Sequence, residues 1–321
     1  MKRLFATVIS LSVLVSLCAC TADIKENSSR TAFMLNTVVT LEASCDEQTL
    51  NGAFTLCEDF ENVFSKTKNT SELYKLNNAV GNFSVSNDLK TVLQKAVYYG
   101  NLSSGRFDVT LCDVINLWDF NEEIIPEKKE ISEALKNVDY QSIKIDKNTV
   151  NLNGKNVDLG GIAKGYIADK IKEYFENKNV VNGIINLGGN VVVFGETQEK
   201  IGIKNPFSVG EIAATVTVKN KCVVTSGTYE RAFSKDGTLY HHILDSKTGY
   251  PVVSDLVSAT IIGDSAVSAD ALSTICVLFG AKDALSLINS IENTECILID
   301  SEGNSHYSNG LYREIDDFYF K

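Results

Sequence analysis

Helix-type and strand-type patterns follow one another along this chain in an irregular order, which restricts its fold more than any other feature of the sequence. Apolar residues recur at spacings of three and four in four stretches, which predicts amphipathic helices at 50–64, 89–97, 163–175 and 269–279. Alternation predicts a hairpin over 143–152 and strands at 183–187, 190–194, 212–218, 222–225, 239–244 and 256–262. Because strict strand–helix–strand alternation is missing, we predict an α+β fold with mixed or antiparallel sheets packed with helices.

The first 19 residues have the features of a bacterial secretion signal. Lys2 and Arg3 precede an apolar stretch of 14 residues, 4–17, whereas a helix that spans a bilayer needs about 20. The end of this stretch, Leu17-Cys-Ala-Cys20, resembles the lipoprotein cleavage box, whose final Cys becomes the lipidated N-terminus. We therefore predict a signal peptide at 1–19, lipidation of Cys20, a polar tether at 20–32 and a functional domain at 33–321. Such a protein would work outside the cytoplasm, anchored by lipid to the bacterial cell membrane. The alternative is an ordinary secreted protein cut near Ala19.

The charge of the chain argues against nucleic acid as a partner, and the cysteine spacing argues against a zinc site. Removing the leader with Lys2 and Arg3 leaves 28 basic against 41 acidic residues, a net charge of −13, and no basic stripe that would bind nucleic acid is visible. The remaining cysteines are widely spaced and contain no zinc-binding pattern, so we expect buried free thiols. They are Cys45, Cys57, Cys112, Cys222, Cys276 and Cys296.

Two adjacent glycines stand at the start of the third predicted helix, in the segment Val157-Asp-Leu-Gly-Gly-Ile-Ala-Lys-Gly-Tyr166. Glycine allows a ligand to approach the backbone, and the free N–H groups at a helix N-terminus favour phosphate. The spacing matches neither the P-loop nor the dinucleotide-binding fingerprint. Tight packing between a strand and a helix is the alternative explanation for Gly160 and Gly161.

The fourth predicted helix carries a carboxylate and a hydroxyl on one face. Asp270 and Thr274, in the segment Ser268-Ala-Asp-Ala-Leu-Ser-Thr274, are four residues apart. Such hard oxygen donors suit Mg²⁺, which keeps water or substrate phosphate oxygens as further ligands. Alternatively, Asp270 only complements the helix dipole and Thr274 bonds its own backbone.

Two further segments contain residues that could act on a ligand. Tyr240-His-His-Ile-Leu-Asp-Ser-Lys-Thr-Gly-Tyr-Pro251 contains two of the three histidines. Neighbouring strand residues face opposite ways, so at most one of His241 and His242 would enter a given cleft. In Ser104-Gly-Arg-Phe-Asp-Val-Thr110, Asp108 follows a glycine turn and either contacts a ligand or caps the turn.

Together the four segments resemble the ApbE-type FAD:protein FMN transferases. The resemblance extends over roughly residues 35–280 and also rests on Leu35-Asn-Thr37, Ser71-Glu-Leu-Tyr-Lys-Leu-Asn77, Asn186-Leu-Gly-Gly189 and Ser226-Gly-Thr-Tyr-Glu-Arg231. It implies a T-fold-like α+β architecture and an enzyme that transfers FMN from FAD to a Thr or Ser hydroxyl of a partner protein and releases AMP. The implied partner is an extracytoplasmic acceptor with a Ser/Thr-Gly-Ala-Ser/Thr-type site, a sequence that this chain does not contain.

The same resemblance implies roles for individual residues. His242, from the family's His-[Ile/Val]-x-Asp stretch, would be the general base. Mg²⁺ would be held by the carbonyl of Ala163 with Asp270, Ser273 and Thr274. Flavin contacts would fall on Leu35, Thr67, Arg106, Phe107, Asp108, Gly160, Tyr166 and Leu244. We further expect the N–H groups of Gly160 and Gly161, with Lys164 or Arg231, to stabilise phosphate oxygens.

Two positions depart from the family pattern. Leu35-Asn36-Thr37 replaces a Met-Gly-Thr turn, and Thr67 stands where relatives often carry a Tyr that can stack on the flavin. Two alternative functions therefore stay open. One is an FAD pyrophosphatase that gives free FMN and AMP, and the other is a lipoprotein that binds flavin without catalysis.

Overall fold

A computed structural model describes residues 27–311 and the backbone of residues 317–320. Its strands are β1 Ser28–Met34, β2 Thr37–Ala43, β3 Phe83–Ser84, β4 Lys144–Asp146, β5 Thr149–Asn151, β6 Asn182–Leu187, β7 Asn190–Gly195, β8 Glu199–Lys204, β9 Ile212–Val218, β10 Cys222–Gly227, β11 Ala232–Lys235, β12 Thr238–His241, β13 Leu256–Gly263, β14 Glu295–Asp300, β15 Ser305–Tyr307 and β16 Asp317–Phe320. Its α-helices are α1 Glu47–Phe64, α2 Glu72–Asn77, α3 Asn87–Leu102, α4 Cys112–Ile115, α5 Lys128–Ala134, α6 Ala163–Asn177, α7 Ala266–Phe279 and α8 Ala281–Ile288.

The largest sheet has the strand order β1-β2-β6-β7-β10-β13-β14-β15, and each neighbouring pair is antiparallel. Smaller antiparallel sheets have the orders β16-β9-β8, β3-β5-β4 and β11-β12. The predicted α+β class with antiparallel sheets and packed helices is therefore confirmed. The four predicted helices and the predicted hairpin are also present.

Side chains on the large sheet alternate between two apolar layers, as the two-residue period of a strand requires. Val192 and Ile261 face the main core, which contains the buried sides of α1, α6 and α7. Their neighbours Val193 and Ile262 face the opposite way and pack against β8 and β9. The large sheet is thus covered by helices on one face and by a small sheet on the other.

A separate apolar cluster surrounds Trp118 and contains Leu111, Val114, Ile131 and Leu244. Tyr240 on β12 lies 5.9 Å from the Trp118 ring, between ring centroids. The Trp118 indole N–H also donates to the carbonyl of Gly249 at 3.0 Å. These contacts hold the β11–β12 hairpin and the loop after it against the body of the protein, so they fix the position of His242.

Some details differ from the sequence predictions. The strand expected at 239–244 ends at His241, and beyond it Leu244 forms only an isolated bridge with Pro251. Strand β1 begins at Ser28, so the sheet includes residues 28–32, which the sequence analysis assigned to the tether. Their polar character arises because β1 is an edge strand whose outward side chains Ser29 and Thr31 are exposed.

The six cysteines from Cys45 to Cys296 are buried and free, as expected. The signal peptide and Cys20 lie outside the described residues. No helix in the described part of the chain combines the length and the apolar character needed to cross a membrane.

Candidate functional site

The candidate site is built where the N-terminus of α6 crosses α7. A β-carbon on Gly165 would lie 2.6 Å from the carbonyl carbon of Ala266 and 2.7 Å from Val267 Cα, so only glycine allows this close approach. The Gly165 N–H donates to Asp270 Oδ2 at 2.9 Å. This bond uses one of the N–H groups that the first turn of a helix leaves without a helical partner. It places Asp270, which is only 3% exposed, beside the first turn of α6.

Three hydroxyl groups continue the site along α7 and β10. Ser226 Oγ lies 2.8 Å from Ser273 Oγ and 3.2 Å from Thr274 Oγ1. Ser273 is fully buried, and its hydroxyl donates to the carbonyl of Asp270 at 2.9 Å. A β-carbon on Gly161 would lie 3.7 Å from Thr274 Oγ1, so the Gly-Gly turn lies beside the Thr274 hydroxyl. Asp270, Ser273 and Thr274 therefore lie together at the α6–α7 crossing, and Ala163, the fourth predicted metal ligand, is the first residue of α6.

Lys164 adds a cation to this group. Its Nζ is 3.6 Å from Asp270 Oδ1 and donates to Asn190 Oδ1 at 3.0 Å. Asn190 is 1% exposed, and its Nδ2 has no hydrogen-bond partner among the described residues. Lys164 was predicted from the sequence, whereas Asn190, which directly follows the Asn186-Leu-Gly-Gly189 segment, was not.

His242 lies just beyond β12 and is held by its backbone. Its N–H donates to the carbonyl of Arg231 at 3.1 Å. Its Nδ1 is buried and has no hydrogen-bond partner within the described structure. Burial lowers the pKa of His242 from 6.5 to about 4, and the charges of Arg231 and Lys164 contribute to the shift. At neutral pH the imidazole is therefore uncharged and able to accept a proton.

Electrostatic coupling connects His242 with the helix crossing. Lys164 contacts Asp270 and also influences the pKa of His242. Desolvation raises the pKa of Glu230, the cations Lys164 and Arg231 lower it, and Asp270 raises it again. The charge of Lys164 thus acts on Asp270, on Glu230 and on the imidazole of His242.

The β1–β2 turn borders this region. Leu35 and Asn36 have φ values of 54° and 55°, the left-handed pair of a type I′ hairpin turn. A β-carbon on Gly188 would lie 2.7 Å from Thr37 Cβ, so the turn packs directly on the Leu187-Gly-Gly189 segment. A β-carbon on Gly189 would in turn lie 3.8 Å from a carboxylate oxygen of Glu230. Leu35 is therefore placed at the margin of the site.

The loop with Arg106 and Phe107 lies on another side of the Gly-Gly turn. Phe107 is 5% exposed, and a β-carbon on Gly161 would be 3.1 Å from its ring. The Arg106 guanidinium donates to the carbonyl of Leu278 at the end of α7 and lies 5.5 Å from the centroid of the Phe279 ring. Phe107 thus shares the site with Gly161, and Arg106 fastens the loop to α7.

Two groups that were predicted to contact a ligand, the Asp108 carboxylate and the Gly160 N–H, instead form hydrogen bonds within the protein. Asp108 accepts from the Thr110 N–H at 2.8 Å and the Thr110 hydroxyl at 2.6 Å, and its second oxygen accepts from the Tyr140 N–H at 3.2 Å. These bonds make Asp108 the cap of a 3₁₀ turn. The Gly160 N–H donates to Asp158 Oδ1 at 2.7 Å and is not free for phosphate, whereas the N–H of Gly161 donates to no described protein group.

The remaining predicted flavin residues lie in different surroundings. Tyr166 packs edge-on against Phe60 and Phe64, and its hydroxyl donates to Asp88 at 2.7 Å. Leu244 belongs to the Trp118 cluster. Thr67 is exposed, and its loop is tied to the Gly160 turn because neighbouring Lys66 pairs with Asp158 at 2.9 Å.

Known proteins match this chain over the segments that form the candidate site. The model of the ApbE family matches residues 35–298. The chain belongs to the ApbE family. This ApbE-family chain is 31% identical over 265 residues to the FAD:protein FMN transferase of Klebsiella pneumoniae (strain 342), with 80% of this chain and 83% of that protein covered. It is 31% identical over 288 residues to the FAD:protein FMN transferase of Treponema pallidum (strain Nichols), covering 82% of this chain and 80% of that protein.

Solved structures of the ApbE family have the same fold. The crystal structure of the ApbE protein from Thermotoga maritima superimposes with a TM-score of 0.83 at 28% identity, covering 91% of this chain and all of that chain. The flavin transferase ApbE from Vibrio cholerae gives a TM-score of 0.79 at 22% identity, with coverage of 89% and 98%. The second likeness is evidence of a shared fold. Together with the family match, these structures confirm the predicted architecture.

Proposed function

We propose that this ApbE-family chain transfers FMN from FAD to a Thr or Ser hydroxyl of a partner protein, with Mg²⁺, and releases AMP. One observation carries the proposal: Lys164 lies 3.6 Å from the buried carboxylate of Asp270 and also within electrostatic reach of the neutral imidazole of His242. The charge of Lys164 therefore acts both on the proposed metal ligand and on the proposed base, which supports a shared role for them. Relatives named FAD:protein FMN transferase at 31% identity over most of the chain support this reaction.

The donor atoms at the α6–α7 crossing suit Mg²⁺. Asp270 supplies a carboxylate that is 3% exposed, Thr274 a hydroxyl, and Ala163 a carbonyl at the first residue of α6. These are hard oxygen donors, and Mg²⁺ commonly uses one or two carboxylates while substrate phosphates complete its coordination. Mg²⁺ would supply Lewis-acid polarisation of the pyrophosphate.

Ser273 has a supporting role in this arrangement. Its hydroxyl is buried and already donates to the Asp270 carbonyl, while Ser226 bridges it to Thr274. Ser273 would therefore help to orient Thr274 through Ser226, and its oxygen keeps a lone pair with which it would also bind the metal, as predicted.

The groups around the Gly-Gly turn would bind the FAD pyrophosphate. Gly161 precedes the first residue of α6 by two positions, and its N–H has no protein acceptor among the described residues. Helix N-termini favour phosphate. Lys164 and Arg231 supply positive charge, and both influence the pKa of His242. Leu35, which is partly buried, would offer apolar surface to the isoalloxazine ring, and buried Phe107 would support the Gly161 turn from beneath.

His242 would accept the proton of the acceptor hydroxyl. Its lowered pKa keeps the imidazole neutral at physiological pH, which is the form a base requires. The proton leaves the hydroxyl as its oxygen bonds to the FMN phosphorus, and the bond from that phosphorus to the AMP phosphate oxygen breaks. AMP departs with the bridging oxygen.

Two parts of the proposal concern the surroundings of the enzyme. The lipobox-like sequence at Cys20 supports export and lipid anchoring to the bacterial cell membrane, where the acceptor would also be found. The acceptor would carry a Ser/Thr-Gly-Ala-Ser/Thr-type site. No nucleic-acid partner is proposed, because the chain has a net charge of −11.

Incubation with FAD, Mg²⁺ and a protein carrying a Ser/Thr-Gly-Ala-Ser/Thr sequence tests the proposal. We expect denaturation-resistant flavin fluorescence on the acceptor and one AMP per flavin attached. The same acceptor with both hydroxyl residues replaced by Ala should remain unlabelled. Free FMN and AMP without labelling would instead establish an FAD pyrophosphatase, and FAD that stays intact for hours would establish a non-catalytic flavin-binding protein.

A further inference from the structure

Lys164 lies beside Asp270, the carboxylate that is proposed to bind the metal. The Lys164 ammonium lies 3.6 Å from Asp270 Oδ1, and the other oxygen of this carboxylate accepts from the Gly165 N–H. The Asp270 side chain is 4% exposed, and that of Lys164 is 30% exposed. A buried carboxylate requires a nearby opposite charge. Lys164 provides that charge.

Lys164 also has an alternative set of partners. Its Nζ donates to Asn190 Oδ1 at 3.0 Å, and Glu230 lies within reach of its charge. Asn190 is fixed on β7 in the core, and its Nδ2 has no partner among the described residues. The ammonium could therefore move away from Asp270 while it keeps the contact with Asn190.

We propose that Lys164 is an exchangeable internal counterion that neutralises Asp270 until the divalent cation displaces it, after which its ammonium pairs with the FAD pyrophosphate. The inference rests on the proposed metal site and adds the order in which charges enter it. A divalent cation and an ammonium repel each other strongly at about 4 Å in a partly buried site. Metal alone must therefore push Lys164 aside, whereas metal with pyrophosphate gives Lys164 a new anionic partner.

This positioning role makes an unusual prediction: a neutral residue at position 164 should tighten metal binding in the absence of FAD. Structural damage would weaken binding, and a lysine that contacts phosphate alone would leave it unchanged. Binding of Mn²⁺, which accepts the same oxygen ligands, can be followed without turnover through the electron paramagnetic resonance signal of the free ion.

The measurement compares Lys164→Met and Lys164→Gln with two variants that control for charge and position. Lys164→Arg keeps the positive charge at the site. Lys170→Met removes a charge from the same helix at a residue that pairs with Glu173 at 2.7 Å. We expect both neutral variants to bind Mn²⁺ at least tenfold more tightly than the wild type, and both controls to bind within twofold of it. Unchanged or weaker binding by folded Lys164→Met and Lys164→Gln proteins would overturn the inference.

Asp270→Asn separates this inference from the proposed function. If Asp270→Asn loses Mn²⁺ binding while the neutral Lys164 variants bind like the wild type, the metal site stands and the counterion role is wrong. If Asp270→Asn binds Mn²⁺ as well as the wild type does, the metal site itself is wrong.

Discussion

The glycine at the α6–α7 crossing allows a matched test of how the site is built. Gly165 in α6 and Gly52 in α1 both lie inside helices, so Ala at either position gains about 1 kcal/mol of helix propensity. Their surroundings differ. A β-carbon at 165 would meet the backbone of Ala266 and Val267, whereas one at 52 would meet the end of the Tyr174 side chain. Backbone cannot move aside as a side chain can.

The expected magnitudes follow from these distances. The β-carbon of Gly165→Ala would lie 2.6 Å from the Ala266 carbonyl carbon, and ordinary contact begins near 3.4 Å, so α6 and α7 must separate by about 1 Å. That shift stretches the 2.9 Å bond from the Gly165 N–H to Asp270 beyond hydrogen-bond range. Overpacking costs about 1–3 kcal/mol, and loss of a hydrogen bond to a charged group costs about 1.5–3 kcal/mol. After the propensity gain, Gly165→Ala should lose about 1.5–5 kcal/mol.

Gly52→Ala serves as the control. Its main penalty is displacement of Tyr174, whose hydroxyl donates to the Thr49 carbonyl at 3.2 Å, a bond worth about 1 kcal/mol. We therefore expect its unfolding free energy to stay within about 1 kcal/mol of the wild type. Urea denaturation followed by circular dichroism would measure both variants. A Gly165→Ala protein as stable as Gly52→Ala, with unaltered Mg²⁺ dependence, would refute this account of the helix crossing.

Four further predictions address individual site residues. Asp270→Ala should reduce Mg²⁺-dependent AMP release to background, and a normal metal titration would remove Asp270 from the site. His242→Gln should leave FAD affinity nearly unchanged and slow transfer by about 10²–10⁴-fold; full activity would end its assignment as base. The pKa of His242 is about 4 in the folded protein and 6.5 in the unfolded chain, so the unfolded chain binds this proton first as the pH falls. The unfolding free energy should therefore decrease by up to about 3 kcal/mol between pH 6.5 and pH 4. The His242→Gln protein should show a shallower pH dependence in urea titrations, and an identical slope would contradict the shift. Leu35→Asn should raise Tm, because Asn tolerates the left-handed backbone and relieves about 1 kcal/mol of strain. It should also raise the KM for FAD, because it removes apolar surface. A lower Tm would show that strain in this turn does not limit stability.

Periodicity predicted those elements whose buried side is continuous. Helix α1 buries Leu50, Phe54 and Cys57 at helical spacing, and this pattern is visible in the sequence. The β1–β2 hairpin was not predicted as a strand pair, because Arg30 is exposed between Ser29 and Thr31 and the apolar Phe33 lies on the outward face, so polar and apolar residues do not alternate. An edge strand has only one neighbour, so its composition is weakly constrained.

The site was predictable only where its residues share a local segment. Asp270 and Thr274 are one helical turn apart, and their common face follows from spacing alone. The contact of Lys164 with Asn190 joins residues 26 positions apart through the α6–β7 packing, and no local pattern encodes it. Resemblance to the ApbE family supplied the assignment of His242, because the sequence alone left His241 and His242 nearly equivalent.

The charges around the site explain why metal and substrate should bind together. Lys164 and Arg231 oppose Asp270 and Glu230, so these four side chains sum to about zero when all are ionised. A divalent cation alone would leave the site strongly positive, and a pyrophosphate alone would leave it strongly negative. Either state is unfavourable at low effective dielectric, whereas the two ions together restore neutrality. When Lys164 moves toward the pyrophosphate, it neutralises part of that negative charge, so binding of FAD should strengthen binding of the metal. By thermodynamic reciprocity the metal should strengthen binding of FAD by the same factor.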